Sequence, residues 1–243
     1  MVATVAQGPT SVRTAAQRWA RRLLLATAGL FGVLMVLAAA YSAATAPATR
    51  SGRPPMTGFD PVVVGRLEQR AWAAYYLRQW PQLFDVLLRL TRGQFGLPLP
   101  GAVYAAYLGT QAQVVWARQG AQDGRAEASM REFYAYVREP AGGQYDPAKA
   151  AALEINWWGI HRDRDRYPDR TALAAALAAL YAELYRAPAD RMLPAGDARA
   201  AAMDLSDRWV REGKHPDSPL LEEIAGLLVH SYQALADATA SRP

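Results

Sequence analysis

Residues 145–166 read YDPAKAAALEINWWGIHRDRDR, and this stretch decides how the rest of the chain is understood. Asp146 suits a helix N-cap, and Pro147 suits the first helical position, where a missing N–H costs nothing. At about 100° per residue, with Glu154 as origin, one flank of the wheel carries Ala150, Leu153, Trp157, Ile160 and His161. The other flank carries Ala151, Ile155, Trp158 and Arg162, and only the far face is broadly polar. Glu154 and His161 therefore lie near the centre of a wide apolar arc, where an amphipathic helix normally carries no charge. A lone buried carboxylate is costly unless it is paired or protonated, so both residues call for partners from elsewhere in the chain.

Outward from this helix the pattern stays helical. Asp60-Pro61 opens a helix that Pro81 is expected to break, and residues 82–92 form a second one ended by Gly93. Helices follow at residues 103–118 and 127–138. Beyond residue 166, Leu173, Leu177, Leu180 and Leu184 make a stripe at helical spacing. Residues 188–197 read as a loop, and helices at 198–211 and 220–236 complete the chain. No stretch alternates as a strand between hairpin turns. The expected fold is all-α: a single transmembrane helix followed by a globular bundle of about eight helices.

The bundle also reads as an internal duplication. Laying residues 60–78 on 146–164 matches Asp60 with Asp146, Pro61 with Pro147, Leu67 with Leu153, Glu68 with Glu154, Trp72 with Trp158 and Arg78 with Arg164. Further on, Leu99-Pro100 matches Leu193-Pro194, and Trp116 to Gly120 matches Trp209 to Gly213. Two four-helix units are expected, at 59–142 and 143–243. Glu68 is central in its own apolar arc, among Val64, Ala71, Trp72 and Tyr75. If the two related helices cross antiparallel, Glu68 meets His161 and Glu154 meets Tyr75, with Trp72 and Trp158 at the crossing.

Charge and length bound the rest. The chain has 243 residues, no cysteine and a formal net charge of +5. Residues 1–49 hold Arg13, Arg18, Arg21 and Arg22 and no acid, while the remainder holds 23 basic and 22 acidic residues. The globular part thus lacks the basic excess of a nucleic-acid-binding domain. Residues 1–22 form a basic cytoplasmic arm. Residues 23–41 are apolar and long enough to span a bilayer, and the arginines before them place the N-terminus in the cytoplasm. Ala44-Thr45-Ala46 also resembles a cleavage site, in which case the protein is secreted. Residues 42–58, rich in Pro, Ser, Gly and Thr, read as a linker.

The functional candidates are the inward polar residues. Glu68, Tyr75, Glu154, His161, Arg78 and Arg164 form one expected cluster, with Trp72, Tyr76, Trp157 and Trp158 as walls of a pocket between the halves. Three readings stand side by side. The residues can satisfy one another structurally; they can bind a partner protein or a small apolar or anionic-headed ligand near the membrane; or Glu68, Glu154 and His161 can serve an exported enzyme, with or without a metal. No Glu-x-x-His pair, P-loop, GxGxxG or nucleophile elbow is present, so no cofactor is expected.

Overall fold

The computed structural model describes residues 36–43, 54–120 and 124–240, and the chain divides into two compact units, Met1–Thr45 and Ala46–Pro243. In the first unit residues 36–43 are helical. The basic arm, most of the expected span at 23–41 and linker residues 44–53 lie outside the described residues. Among the described residues no helix is long and apolar enough to cross a membrane.

In the second unit every described regular element is helical. The order is α1 (Pro55–Gly58), α2 (Pro61–Tyr76), α3 (Trp80–Phe95), α4 (Leu99–Gln119), α5 (Arg125–Arg138), α6 (Pro147–Arg162), α7 (Thr171–Tyr185), α8 (Ala189–Arg211) and α9 (Leu220–Ala240). Each of the eight long helices packs on the one before and the one after, and α9 packs back on α2. The result is a closed ring. The connections are short, from residues 77–79 to residues 163–170, so neighbours run antiparallel. One end of the ring therefore carries the C-termini of α2, α4, α6 and α8, and the other carries those of α3, α5, α7 and α9.

Local chemistry sets the helix ends. The Asp60 carboxylate accepts from the N–H groups of Val62 and Val63 at 2.9 and 3.2 Å, and Asp146 repeats the arrangement with Ala148 and Lys149 at 2.7 and 3.1 Å. Pro81 does not break a helix, as the sequence suggested, but starts one: α2 ends at Tyr76, Arg78 takes a left-handed turn, and Pro81 occupies the first turn of α3. Gly93 lies inside α3, whose end is set by the left-handed Gly96. The expected loop at 188–197 is also helical, as the beginning of α8, with Pro194 inside it. Pro194 is exposed while Met192 and Ala195 are fully buried, so packing of the inner face outweighs the lost backbone bond on the solvent side.

The end of the linker is likewise part of the fold. α1 packs on α3 and α9, Met56 is buried, and its N–H donates to the Ala141 carbonyl at 3.3 Å. Phe59 and Tyr145, just ahead of α2 and α6, are almost completely buried. These groups plug the end of the ring where α2 and α6 begin.

Ring closure rests on close backbone approach. A Cβ at Gly65 of α2 would stand 2.7 Å from the backbone nitrogen of Val229 in α9, and one at Gly196 would stand 2.5 Å from the Ala174 carbonyl oxygen of α7. Gly159 of α6 has nothing within 4 Å of that position. Gly65→Ala should therefore cost about 1–3 kcal/mol by overpacking the closure. Gly159→Ala should stabilise by about 0.5–1 kcal/mol through helix propensity. Denaturant unfolding of the two variants checks the contrast, and equal effects would rule out a closure made by close backbone approach at Gly65.

Candidate functional site

The ring encloses a cavity of about 590 Å³, and all eight long helices contribute to its wall. Nine of the ten residues singled out from the sequence line it: Glu68, Trp72, Tyr75, Tyr76, Glu154, Trp157, Trp158, His161 and Arg164. Arg78 does not; it is exposed in the α2–α3 turn with φ 56°. The exposed members of the wall are Arg162 and Arg211, at the C-terminal ends of α6 and α8. The cavity opens at that end, opposite the plug. Toward the plug the wall carries Phe95 and Leu184 together with Gln94 and Tyr185, at the C-terminal ends of α3 and α7.

Arg199 of α8 is the hub of the wall. Its guanidinium forms an ion pair with Glu68, and its Nη1 donates to the Tyr181 hydroxyl at 2.9 Å. It also sits over the rings of Trp157, Trp72 and Tyr181, at 5.1, 5.9 and 6.0 Å from their centres. The ion pair is well buried, with 5% of the Glu68 side chain and 12% of that of Arg199 exposed. The Tyr232 hydroxyl stands beside Glu68.

Glu154 is held differently. It accepts from the Tyr134 hydroxyl at 2.8 Å and from the Trp158 indole at 3.0 Å. Trp157 Nε1 lies near it without hydrogen-bond geometry. Burial raises its carboxyl above the ordinary range, and the charge of Arg199 and the three neighbouring donors only partly offset this. Burial and the Glu154 charge together push the Tyr134 hydroxyl well up, so this tyrosine acts as a donor at neutral pH.

The mouth carries a separate network. His161 Nε2 meets Asp207 Oδ1 at 3.1 Å, Arg164 Nε donates to Asp207 Oδ2 at 3.2 Å, and Arg164 Nη2 pairs with Asp204. Arg162 Nη1 donates to the Trp116 carbonyl at the end of α4, at 2.9 Å, and lies over the Trp116 ring.

The expected pairs Glu68–His161 and Glu154–Tyr75 do not form; Glu68 pairs with Arg199, His161 with Asp207, and Glu154 with Tyr134 and Trp158. The reason is topological. In a closed antiparallel ring, helices four places apart run parallel on opposite sides, so α2 and α6 face each other across the cavity instead of crossing in contact. Each then takes its partners from α5, α8 or α9. The sequence reading missed Arg199, Tyr134, Tyr232 and Asp207. A signal was present in α8, where Arg199 follows Ala195 and Ala198 and precedes Ala202 and Met203 on the buried face. The wheel argument applied to Glu154 would have placed Arg199 inside as well.

The two halves line the cavity in register. Glu68, Ala71, Trp72, Tyr75 and Tyr76 of α2 correspond, at a constant separation of 86, to Glu154, Trp157, Trp158, His161 and Arg162 of α6. Leu90, Thr91, Gln94 and Phe95 of α3 correspond, at 90, to Leu180, Tyr181, Leu184 and Tyr185 of α7. Ala105, Gly109 and Gln113 of α4 correspond, at 94, to Arg199, Met203 and Asp207 of α8; at that separation Trp116 falls on Val210, one residue beyond the Trp209 it matches in sequence. Ring contacts repeat too: Phe59 meets Tyr232 edge-on at 5.6 Å and 80°, and Tyr145 meets Tyr134 at 5.8 Å and 82°.

Among the described residues no group of three or more His, Asp or Glu side chains gathers as a metal site would require. Glu68, Glu154 and His161 are accordingly not assembled as one ligand set. Comparison of the chain with protein-family models, curated proteins and solved structures gives no match.

Arg199→Met alone should cost about 3–5 kcal/mol, because it leaves Glu68 buried without a counter-charge. Glu68→Leu combined with Arg199→Met should recover most of that loss. A thermal or denaturant double-mutant cycle checks this, and purely additive losses would show that the two side chains do not act as a pair. A second prediction concerns pH. Because the Glu154 carboxyl is raised in the folded state, its contribution to stability is full below the ordinary glutamate range, about 4.3, and is lost as pH rises through the elevated value. Glu154→Gln should remove that component, so its stability should fall less than that of the wild type between acid and neutral pH. Parallel profiles would contradict the assignment.

Proposed function

We propose that this protein is a non-catalytic binding protein whose ligand enters the axial cavity between its two halves. One observation carries the reading: a ring of eight helices encloses about 590 Å³, mainly aromatic and aliphatic, with a few convergent polar groups at mid-depth and at one open end. Packed helical cores do not normally leave such a volume. The matched separations of the lining residues support an origin by duplication of a four-helix unit, with the cavity on the pseudo-two-fold axis. The apolar run at 23–41 supports a membrane tether that holds the domain outside the cytoplasm.

The ligand body is apolar or aromatic. An anionic head held by His161 and Arg164 is not favoured, because both already engage Asp207. A second reading, an exported enzyme, has in its favour that the raised carboxyl of Glu154 and the ion-paired Glu68 line the same cavity, since two carboxyls in unlike environments suit acid–base chemistry. Against it, His161 touches neither glutamate.

The test uses the full chain purified in detergent. Mass spectrometry of the native protein should show a co-purifying small molecule. Titration with 4-nitrobenzyl alcohol, a neutral quencher, should also quench indole emission saturably, because Trp72, Trp116, Trp157 and Trp158 line the cavity. Leu90→Trp, which fills the cavity from α3, should abolish the saturable phase. Linear quenching, or a saturable phase unchanged by Leu90→Trp, would overturn the proposal.

A further inference from the structure

The internal symmetry of the wall is broken at one place, and the breaks all point the same way. Around Arg199 stand Glu68 and Trp72 of α2, Trp157 of α6, Tyr181 of α7 and Tyr232 of α9. The separations of 86, 90 and 94 give the counterparts on the opposite side of the ring. Glu68 corresponds to Glu154 and Trp72 to Trp158, and the Tyr232 beside Glu68 matches the Tyr134 bonded to Glu154 by its contacts, since each also meets the aromatic residue ahead of α2 or α6 edge-on. These three positions are conserved between the halves in kind. The other three are not: Arg199 corresponds to Ala105, Trp157 to Ala71 and Tyr181 to Thr91. On one side of the cavity a carboxylate of the first half therefore meets a guanidinium and two rings of the second. On the other side the matching carboxylate of the second half has, at the corresponding positions of the first, an alanine, an alanine and a threonine, all lining the cavity.

Glu154 is the group left incomplete by this difference. It is buried and lines the cavity, and its hydrogen bonds come from a neutral hydroxyl and a neutral indole. A buried carboxylate with hydrogen bonds but no cation of its own is a half-built ion pair. We infer that the cavity takes an organic cation, an amidinium, guanidinium or primary ammonium on an aromatic or apolar body, whose charged head pairs with Glu154 as Arg199 pairs with Glu68. The body then takes the place that Trp157 and Tyr181 fill on the other side.

This inference rests on the pocket reading above and names its ligand class. The local charges allow it. The wall holds Glu68, Glu154 and Asp207 against Arg199 and Arg164, with His161 at the mouth and Arg162 and Arg211 at the rim. Arg199 is already neutralised by Glu68, and Arg164 by Asp204 and Asp207. A cation at Glu154 therefore meets no unpaired positive charge at mid-depth. Benzamidine is the matching probe, because it joins a guanidinium-like fork to a ring.

The experiment titrates the full-length chain at neutral pH with benzamidine, benzamide and benzoate, which share a ring and differ in charge, and follows indole emission. Benzamidine should bind saturably and at least tenfold more tightly than benzamide, and benzoate should not bind. Glu154→Gln should abolish the preference for benzamidine over benzamide. Thr91→Tyr, which restores the larger residue of the other half, should block both. If benzamide or benzoate binds as tightly as benzamidine, the cation assignment falls while the pocket stands. The same holds if Glu154→Gln folds and keeps the preference. If 4-nitrobenzyl alcohol binds saturably and benzamidine does not, the cation assignment again falls alone. If neither binds, both proposals fall.

Discussion

The ion pair between Arg199 and Glu68 is the constraint on which the interior depends. A guanidinium inside a helical ring is tolerable only with its charge compensated and its faces covered, and the structure meets both needs. Glu68 supplies the counter-charge, Tyr181 accepts a hydrogen bond, and Trp157 and Trp72 cover the guanidinium. These partners come from α2, α6 and α7, so one side chain of α8 ties both halves of the ring to a common centre. The wall is thereby stiffened on one side. The other side carries alanine and threonine at the matching positions and so holds smaller side chains.

Closure of the ring makes that centre possible. Gly65 lets α2 and α9 approach to backbone contact, and Gly196 does the same for α7 and α8. Each long helix then needs only two long-helix neighbours, and its third face is free to line the cavity. This explains how α2 and α6 carry broad apolar arcs with Glu68 at the centre of one and Glu154 and His161 near the centre of the other. The flanks of an arc bury against neighbours, while its centre looks into the cavity, where a carboxylate can find a partner across or beside it.

Much of this was legible from residues alone. The helical class follows from the Asp-Pro starts and the 3.6-residue apolar spacing, and the special status of Glu68 and Glu154 follows from their place on the wheel. Pro81 and Pro194 misled for a common reason: proline punctuates a helix only where its lost N–H and its ring matter. Pro81 sits in a first turn, and Pro194 sits on a solvent face opposite fully buried neighbours. The end of the linker misled because composition registers Pro54 and Pro55 but not the burial of Met56.

Sequence by itself determined that the elements are helices and which glutamates turn inward, because these depend on apolar spacing within a helix. Only the tertiary structure decided which groups meet. Whether α2 crosses α6 or faces it across a cavity depends on how eight helices close, and closure depends on backbone approach at Gly65 and Gly196, which no helical wheel records. Once the ring closes, Glu68 finds Arg199, His161 finds Asp207, and Glu154 is left beside the cavity with two hydrogen bonds and the charge of an Arg199 already paired to Glu68.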